Sequence, residues 1–190
     1  GQYRERTKAI GSLKYGFAAA AGLIYTVLAW LFRSYIQPVI VMITIPIGLV
    51  GVVVGHWITG YPITFLSEIG FVALSGIVVN DSLILVDLIN RRIREGVPLF
   101  EAVISSGRRR LRPILLTTLT TVLGLAPMLM ETSFQARFLI PMAVAISFGL
   151  AFATALTLVV VPALYVIVAD VKQLAARLWY GPVRPARLPA

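Results

Sequence analysis

Ile63-Thr-Phe-Leu-Ser-Glu-Ile-Gly70-Phe-Val-Ala-Leu-Ser-Gly-Ile-Val-Val-Asn80-Asp81-Ser-Leu-Ile-Leu-Val-Asp87-Leu-Ile89 is an apolar run that nevertheless holds three carboxylates. A helix needs about 20 apolar residues to cross the hydrocarbon core of a bilayer, and this run exceeds that. Only helices and closed barrels satisfy their backbone polar groups in lipid, and no period-2 alternation supports a barrel strand. An ionisable side chain at the bilayer centre costs from about 2.5 to over 10 kcal/mol. Such a residue usually faces a protein interior or a water-filled cavity, and proton relays are a common reason for it. Asp81, beside Asn80 in the motif Gly76 to Asp87, is the leading functional candidate.

The rest of the chain has the same character. Of its 190 residues 58% are hydrophobic and only 13% charged, with a mean hydropathy of +0.89. Soluble domains are nearer a quarter charged, so this is an integral membrane protein. Four more spans accompany the first: Tyr15 to Phe32, Tyr35 to Ile58, Pro113 to Met130, and one within Phe138 to Ala169. Gly60 and Pro62 signal the turn after the second span, where Trp57 and Tyr61 suit a membrane interface. Between the third and fourth spans, Gly96-Val-Pro98 starts a new element. Leu99, Ala102, Val103 and Ile104 then give the apolar stripe of a short amphipathic helix along the cytoplasmic interface. The expected fold is all-α: a polytopic membrane helix bundle of about five transmembrane helices plus this interfacial helix. The tail Gly181 to Ala190, with three prolines, is expected to be disordered.

Five crossings put the termini on opposite sides. The N-terminal side holds five basic residues, and the other side holds twelve, among them Arg91, Arg92, Arg94, Arg108, Arg109, Arg110 and Arg112. The positive-inside rule places the N-terminus outside and the C-terminus in the cytoplasm. The net charge of +9 is therefore a topology signal, and no aromatic interleaving points to nucleic acid. There is no cysteine and one histidine, which argues against redox, disulfide, thiolate-metal and histidine-cluster chemistry. No glycine loop for nucleotide is present, so ATP is not the expected energy source. No catalytic set accompanies the serines, which disfavours a membrane-embedded hydrolase. The polar start Gly1 to Lys8 lacks an initiator methionine and reads as a segment of a longer chain.

On the third helix, Asn80 shares a stripe with Gly76, Leu83 and Asp87, while Asp81 lies about 100° further round with Ile77, Val78 and Leu85. Asp87 reads as an interfacial charge within helical reach of Arg91, and Glu68 as a solvated helix entrance. On the fourth helix, Thr117, Thr121 and Gly124 form a stripe that either packs or offers hydroxyls to a carboxylate on a facing helix. Arg110 and Arg112 flank the cytoplasmic start of that helix. They either reach inward or snorkel to lipid phosphate. Gly51-Val-Val-Val-Gly55 suggests close helix contact. His56, with no partner near in sequence, reads as interfacial.

Several ordered motifs together resemble the resistance–nodulation–division efflux permeases, the family of AcrB-like drug pumps. These are Phe32-Arg-Ser-Tyr-Ile-Gln-Pro38, Ile45-Pro-Ile-Gly48 to Gly55-His56, Gly76 to Asp87, Arg110-Leu-Arg-Pro-Ile-Leu-Leu-Thr-Thr118, and Gly124-Leu-Ala-Pro127. The resemblance covers about Gly11 to Ala169. It implies a bacterial inner-membrane transporter, not an enzyme, that exchanges protons for exported drugs or other amphiphiles. No cofactor is implied, and the proton-motive force supplies the energy. Residues 1–14 would end a periplasmic porter region, 15–169 would be the last five helices of the second-half repeat, and 170–190 a cytoplasmic tail. The implied partners are the N-terminal half of the same permease, two further copies in a homotrimer, a periplasmic adaptor, an outer-membrane channel and the lipid bilayer. The resemblance also implies a proton relay at Asp81, Asn80, Thr117 and Arg110. The best-studied pumps have lysine where this chain has Asn80 and asparagine where it has Asp81, so here the charge has changed sign and moved by one residue. The alternatives are a related secretion or lipid-export protein and a non-transporting membrane anchor or assembly module.

Overall fold

A computed structural model of the chain describes residues 2–134 and 136–180. Its elements are α1 (Gln2–Phe32), α2 (Gln37–Met42), α3 (Thr44–Thr59), α4 (Phe65–Arg94), α5 (Leu99–Leu129), a 3-10 turn (Ala136–Phe138) and α6 (Ile140–Tyr180). Among the described residues there is no strand, and five spans are long and apolar enough to cross a membrane. The all-α membrane bundle expected from the sequence is the fold observed.

Each span has a local cause. Pro46 lacks the N–H that would bond Met42, and its ring crowds that carbonyl, so the second span is broken at Ile43 into α2 and α3. α3 ends at Gly60, whose φ of 72° is the left-handed conformation that glycine adopts without a steric penalty. α4 opens with a capping box: the Ser67 N–H donates to Thr64 Oγ1 and the Thr64 N–H donates to Ser67 Oγ. The amphipathic stretch expected between the third and fourth spans is helical, but it runs without a break through Pro113 and Pro127 as one helix, α5. Prolines are tolerated in such helices because neighbours and side-chain hydroxyls satisfy the freed backbone groups. Residues 2–14, assigned by the resemblance to a porter region, continue the helix of the first span, and the segment from residue 170 is helical to Tyr180. Gly181 to Ala190 lie outside the described residues.

α6 is the hub, packing on α3, α4 and α5. Its seam with α3 is close and glycine-lined. A Cβ on Gly51 would lie 2.6 Å from Phe152 Cβ, and one on Gly55 would overlap Phe148 Cβ. The GxxxG of α3 is thus a site of close helix contact. Leu74, Leu85, Val86 and Ile89 of α4 are fully buried against α2, α3 and α6. α1 and α5, by contrast, leave most of their surface uncovered by this chain.

His56 differs from its interfacial expectation. It stands in the last turn of α3, before Gly60, but its ring is buried. The Val52 carbonyl, 2.8 Å from Nδ1, can only accept, so Nδ1 carries the proton. Nε2 then accepts from the Ser67 hydroxyl at 2.8 Å. Its partner was invisible in sequence because the turn at Gly60 is what folds Ser67 back onto it.

Candidate functional site

Asp81 lies on α4 where that helix meets both α5 and α6. It is half-buried, and it lines a narrow gap with Val78 of α4, Ile114 of α5 and Thr154 and Thr157 of α6. Arg110 of α5 acts on its carboxylate through space. Among the described residues, no ion pair within 4.0 Å joins the two. The neighbouring residue Ser82 is fully buried. It donates to the Val78 carbonyl at 2.9 Å and lies 3.3 Å from Thr44 Oγ1 of α3, which fixes the rotation of α4 at this level.

Around the gap, hydroxyls face inward. Thr118 of α5 and Thr154 of α6 share a buried hydrogen bond of 2.7 Å. Thr157, one turn further along α6, is 1% exposed. No ionisable side chain stands on α6 between Ile140 and Leu164. The gap is therefore lined by one carboxylate and neutral hydroxyls, and the Arg110 guanidinium acts on that carboxylate from outside it. Such a set can bind and release a proton, because the carboxyl oxygen takes it and the surroundings compensate either charge state.

The other residues expected in a relay lie elsewhere. Asn80 and Gly76 are on an exposed face of α4. Thr117 is on an exposed face of α5, and its hydroxyl donates back to the Ile114 carbonyl at 2.9 Å and the Pro113 carbonyl at 3.2 Å. Thr120 and Thr121 bond their own helix in the same way. This chain thus places Asp81 in the gap with Arg110 near enough to act on its charge, and leaves Asn80 and Thr117 on uncovered faces. The expected pairing of Asp87 with Arg91 is present, at 3.2 Å and well exposed.

Two groups escaped the sequence reading. Thr154 and Thr157 form an i, i+3 pair within an otherwise apolar run, and that spacing was their only signal. At the start of α2 and near the C-terminal end of α4, Gln37 and Asn90 exchange two amide hydrogen bonds of 2.9 Å, and the Tyr165 hydroxyl donates to Asn90 Oδ1 at 2.5 Å. That network ties α2, α4 and α6 together.

The profile of the AcrB/AcrD/AcrF family matches residues 1–169. The chain is 33% identical over 165 residues to the cobalt-zinc-cadmium resistance protein CzcA of Cupriavidus metallidurans, covering 87% of this chain and 16% of that protein. Identity and coverage are the same for the cation efflux system protein CzcA of an Alcaligenes species. The swarming motility protein SwrC of Bacillus subtilis is 31% identical over 156 residues, covering 82% of this chain and 15% of SwrC. Two crystal forms of a heavy metal efflux pump superpose with TM-scores of 0.79 and 0.77, at 28% and 29% identity. Each match covers 90% of this chain and 17% of the solved one. The chain thus spans about a sixth of the length of these relatives.

Proposed function

This chain belongs to the AcrB/AcrD/AcrF family, and from that premise we propose that it forms the C-terminal transmembrane part of a proton-driven efflux permease, with Asp81 as its proton carrier. The observation that carries the reading is the position of Asp81 in the gap between α4, α5 and α6, with Arg110 acting on it. Protonated, the carboxyl is neutral and makes only weak demands on its surroundings. Deprotonated, it draws Arg110 and the nearby hydroxyl donors toward itself. The two states pack α4 differently against α5 and α6, and that difference passes to the porter region as a rigid-body shift.

The exposed faces of α4 and α5, with Gly76, Asn80, Thr117 and Gly124, are where the N-terminal half of the permease packs in this reading. Asn80 and Thr117 then complete the relay from those faces, against the carboxylates of the other half. The working unit is a homotrimer in the bacterial inner membrane, with an adaptor and an outer-membrane channel. The N-terminus is periplasmic and the C-terminus cytoplasmic, as the charge asymmetry favours. The proton-motive force drives antiport without a bound cofactor. For the cargo, the metal-named relatives support divalent cations such as zinc or cobalt. Drugs and other amphiphiles, implied by the sequence motifs, are the second reading.

The test is Asp81→Asn in the full-length permease, produced at wild-type level in a host stripped of its own pumps of this family. Growth is scored against zinc, cobalt and cadmium, and separately against ethidium and detergents. Wild type is expected to protect against one cargo class, and the variant to fall to the vector control. Full protection by the variant would remove Asp81 from the relay and favour a passive anchoring role.

A further inference from the structure

Hydroxyls on membrane helices are ordinarily satisfied by the carbonyl three or four residues back. This chain follows that habit closely. Thr26, Thr59, Ser75, Ser82, Thr117, Thr120 and Thr121 all bond back to their own helix. Thr154 departs from it by pairing with Thr118 across the helix interface. Thr157 departs further: it is 1% exposed and its hydroxyl has no partner among the described residues. Ser106 and Ser147 also bury unpartnered hydroxyls, but only Thr157 lines the gap shared with Asp81. A buried donor held off its own helix carries a desolvation cost unless another state of the molecule uses it.

We propose that Thr157 is the positioning residue for Asp81, its hydroxyl donating to the carboxylate in the deprotonated state and standing unpaired when Asp81 is protonated. The inference rests on the reading of Asp81 as proton carrier. The bookkeeping of hydrogens is simple: one proton enters and leaves Asp81, and Thr157 keeps its own throughout. The Thr118–Thr154 bond, one turn away, holds α5 and α6 in register so that Thr157 stays within the gap. Few other groups compete. Arg110 is the charge that acts on Asp81 from α5, and α6 faces it with hydroxyls alone. On α4 itself the other ionisable groups are Asp87, nearly two turns away, Arg91, Arg92 and Arg94, about three turns or more toward its C-terminal end, and Glu68, more than three turns toward its start.

The experiment follows the carboxyl C=O stretch of the full-length permease by infrared difference spectroscopy across pH, with no cargo present. The band missing in Asp81→Asn is assigned to Asp81. In Thr157→Val the charged form has lost a donor, so the titration midpoint moves about one pH unit toward alkaline pH. Thr157→Ser keeps the donor and returns the midpoint to the wild-type value. Thr157→Ala replaces the valine variant if the latter does not accumulate. An unchanged midpoint in the variant lacking the hydroxyl, with the Asp81 band present, overturns this inference alone. Absence of any titrating band that depends on Asp81 overturns the carrier reading as well.

Discussion

Adding one methyl group at each of Gly51 and Gly55 tests the α3–α6 seam directly. The Cβ at Gly51 would stand 2.6 Å from Phe152 Cβ and 3.0 Å from both Gly149 Cα and the Phe148 carbonyl oxygen. The Cβ at Gly55 would overlap Phe148 Cβ and stand 2.7 Å from its Cγ. Backbone and Cβ atoms do not move with a rotamer change, so α6 itself must shift. Overpacking costs about 1–3 kcal/mol per site. Alanine returns about 1 kcal/mol per site over glycine through helix propensity. The two sites press on one face of α6 and are coupled, so a net destabilisation of about 2 kcal/mol is expected for the double variant. Gly16 of α1 is the control, because a Cβ there meets nothing within 4 Å. The assay is the temperature at which the detergent-solubilised full-length protein loses its monodisperse peak. Gly51→Ala/Gly55→Ala should melt several degrees below wild type, and Gly16→Ala at or above it. A double variant as stable as wild type would refute the seam.

Ser67→Ala strands the buried Nε2 of His56 and opens the capping box of α4; a loss of about 2 kcal/mol is expected, seen as an earlier melt. Glu131, in the α5–α6 connection, accepts from the Ser133 and Thr132 backbone N–H groups, and these bonds hold its carboxyl below the usual carboxylate range. The sign follows: a carboxyl lowered in the folded state stabilises above its unfolded value, and the effect fades as pH falls through the folded one. Protection of the Thr132 and Ser133 amides against hydrogen exchange should therefore drop in acid, and Glu131→Ala should show low protection throughout.

The spans were legible because hydropathy over some twenty residues integrates many weak signals, and the turn at Gly60 was legible because only a few residues adopt its backbone. Asp81 stood out because a carboxylate amid hydrocarbon has few explanations. What the sequence hid depends on which helices face each other. Thr117 and Thr118 are adjacent and similar, yet one spends its hydroxyl on its own helix and the other bonds across to α6. Thr157 looks like any threonine in an apolar run until its neighbours are known. The continuity of α5 was hidden for a different reason. Pro113 reads as a boundary in water, but in a membrane helix the lost bond is locally absorbed.

The Gln37–Asn90 amide exchange, capped by Tyr165, rivets the ends of three helices, and the glycine seam welds α3 to α6. Together these make α2, α3, α4 and α6 a stiff chassis. α5 also packs on α6, but among the described residues its one side-chain hydrogen bond to another helix is the Thr118–Thr154 pair, and it meets α4 at the Asp81 gap. If Asp81 carries a proton as proposed, its change of charge meets fewer cross-helix polar ties in α5 than in that chassis, and the resulting displacement reaches the connection that leads from α5 back to α6.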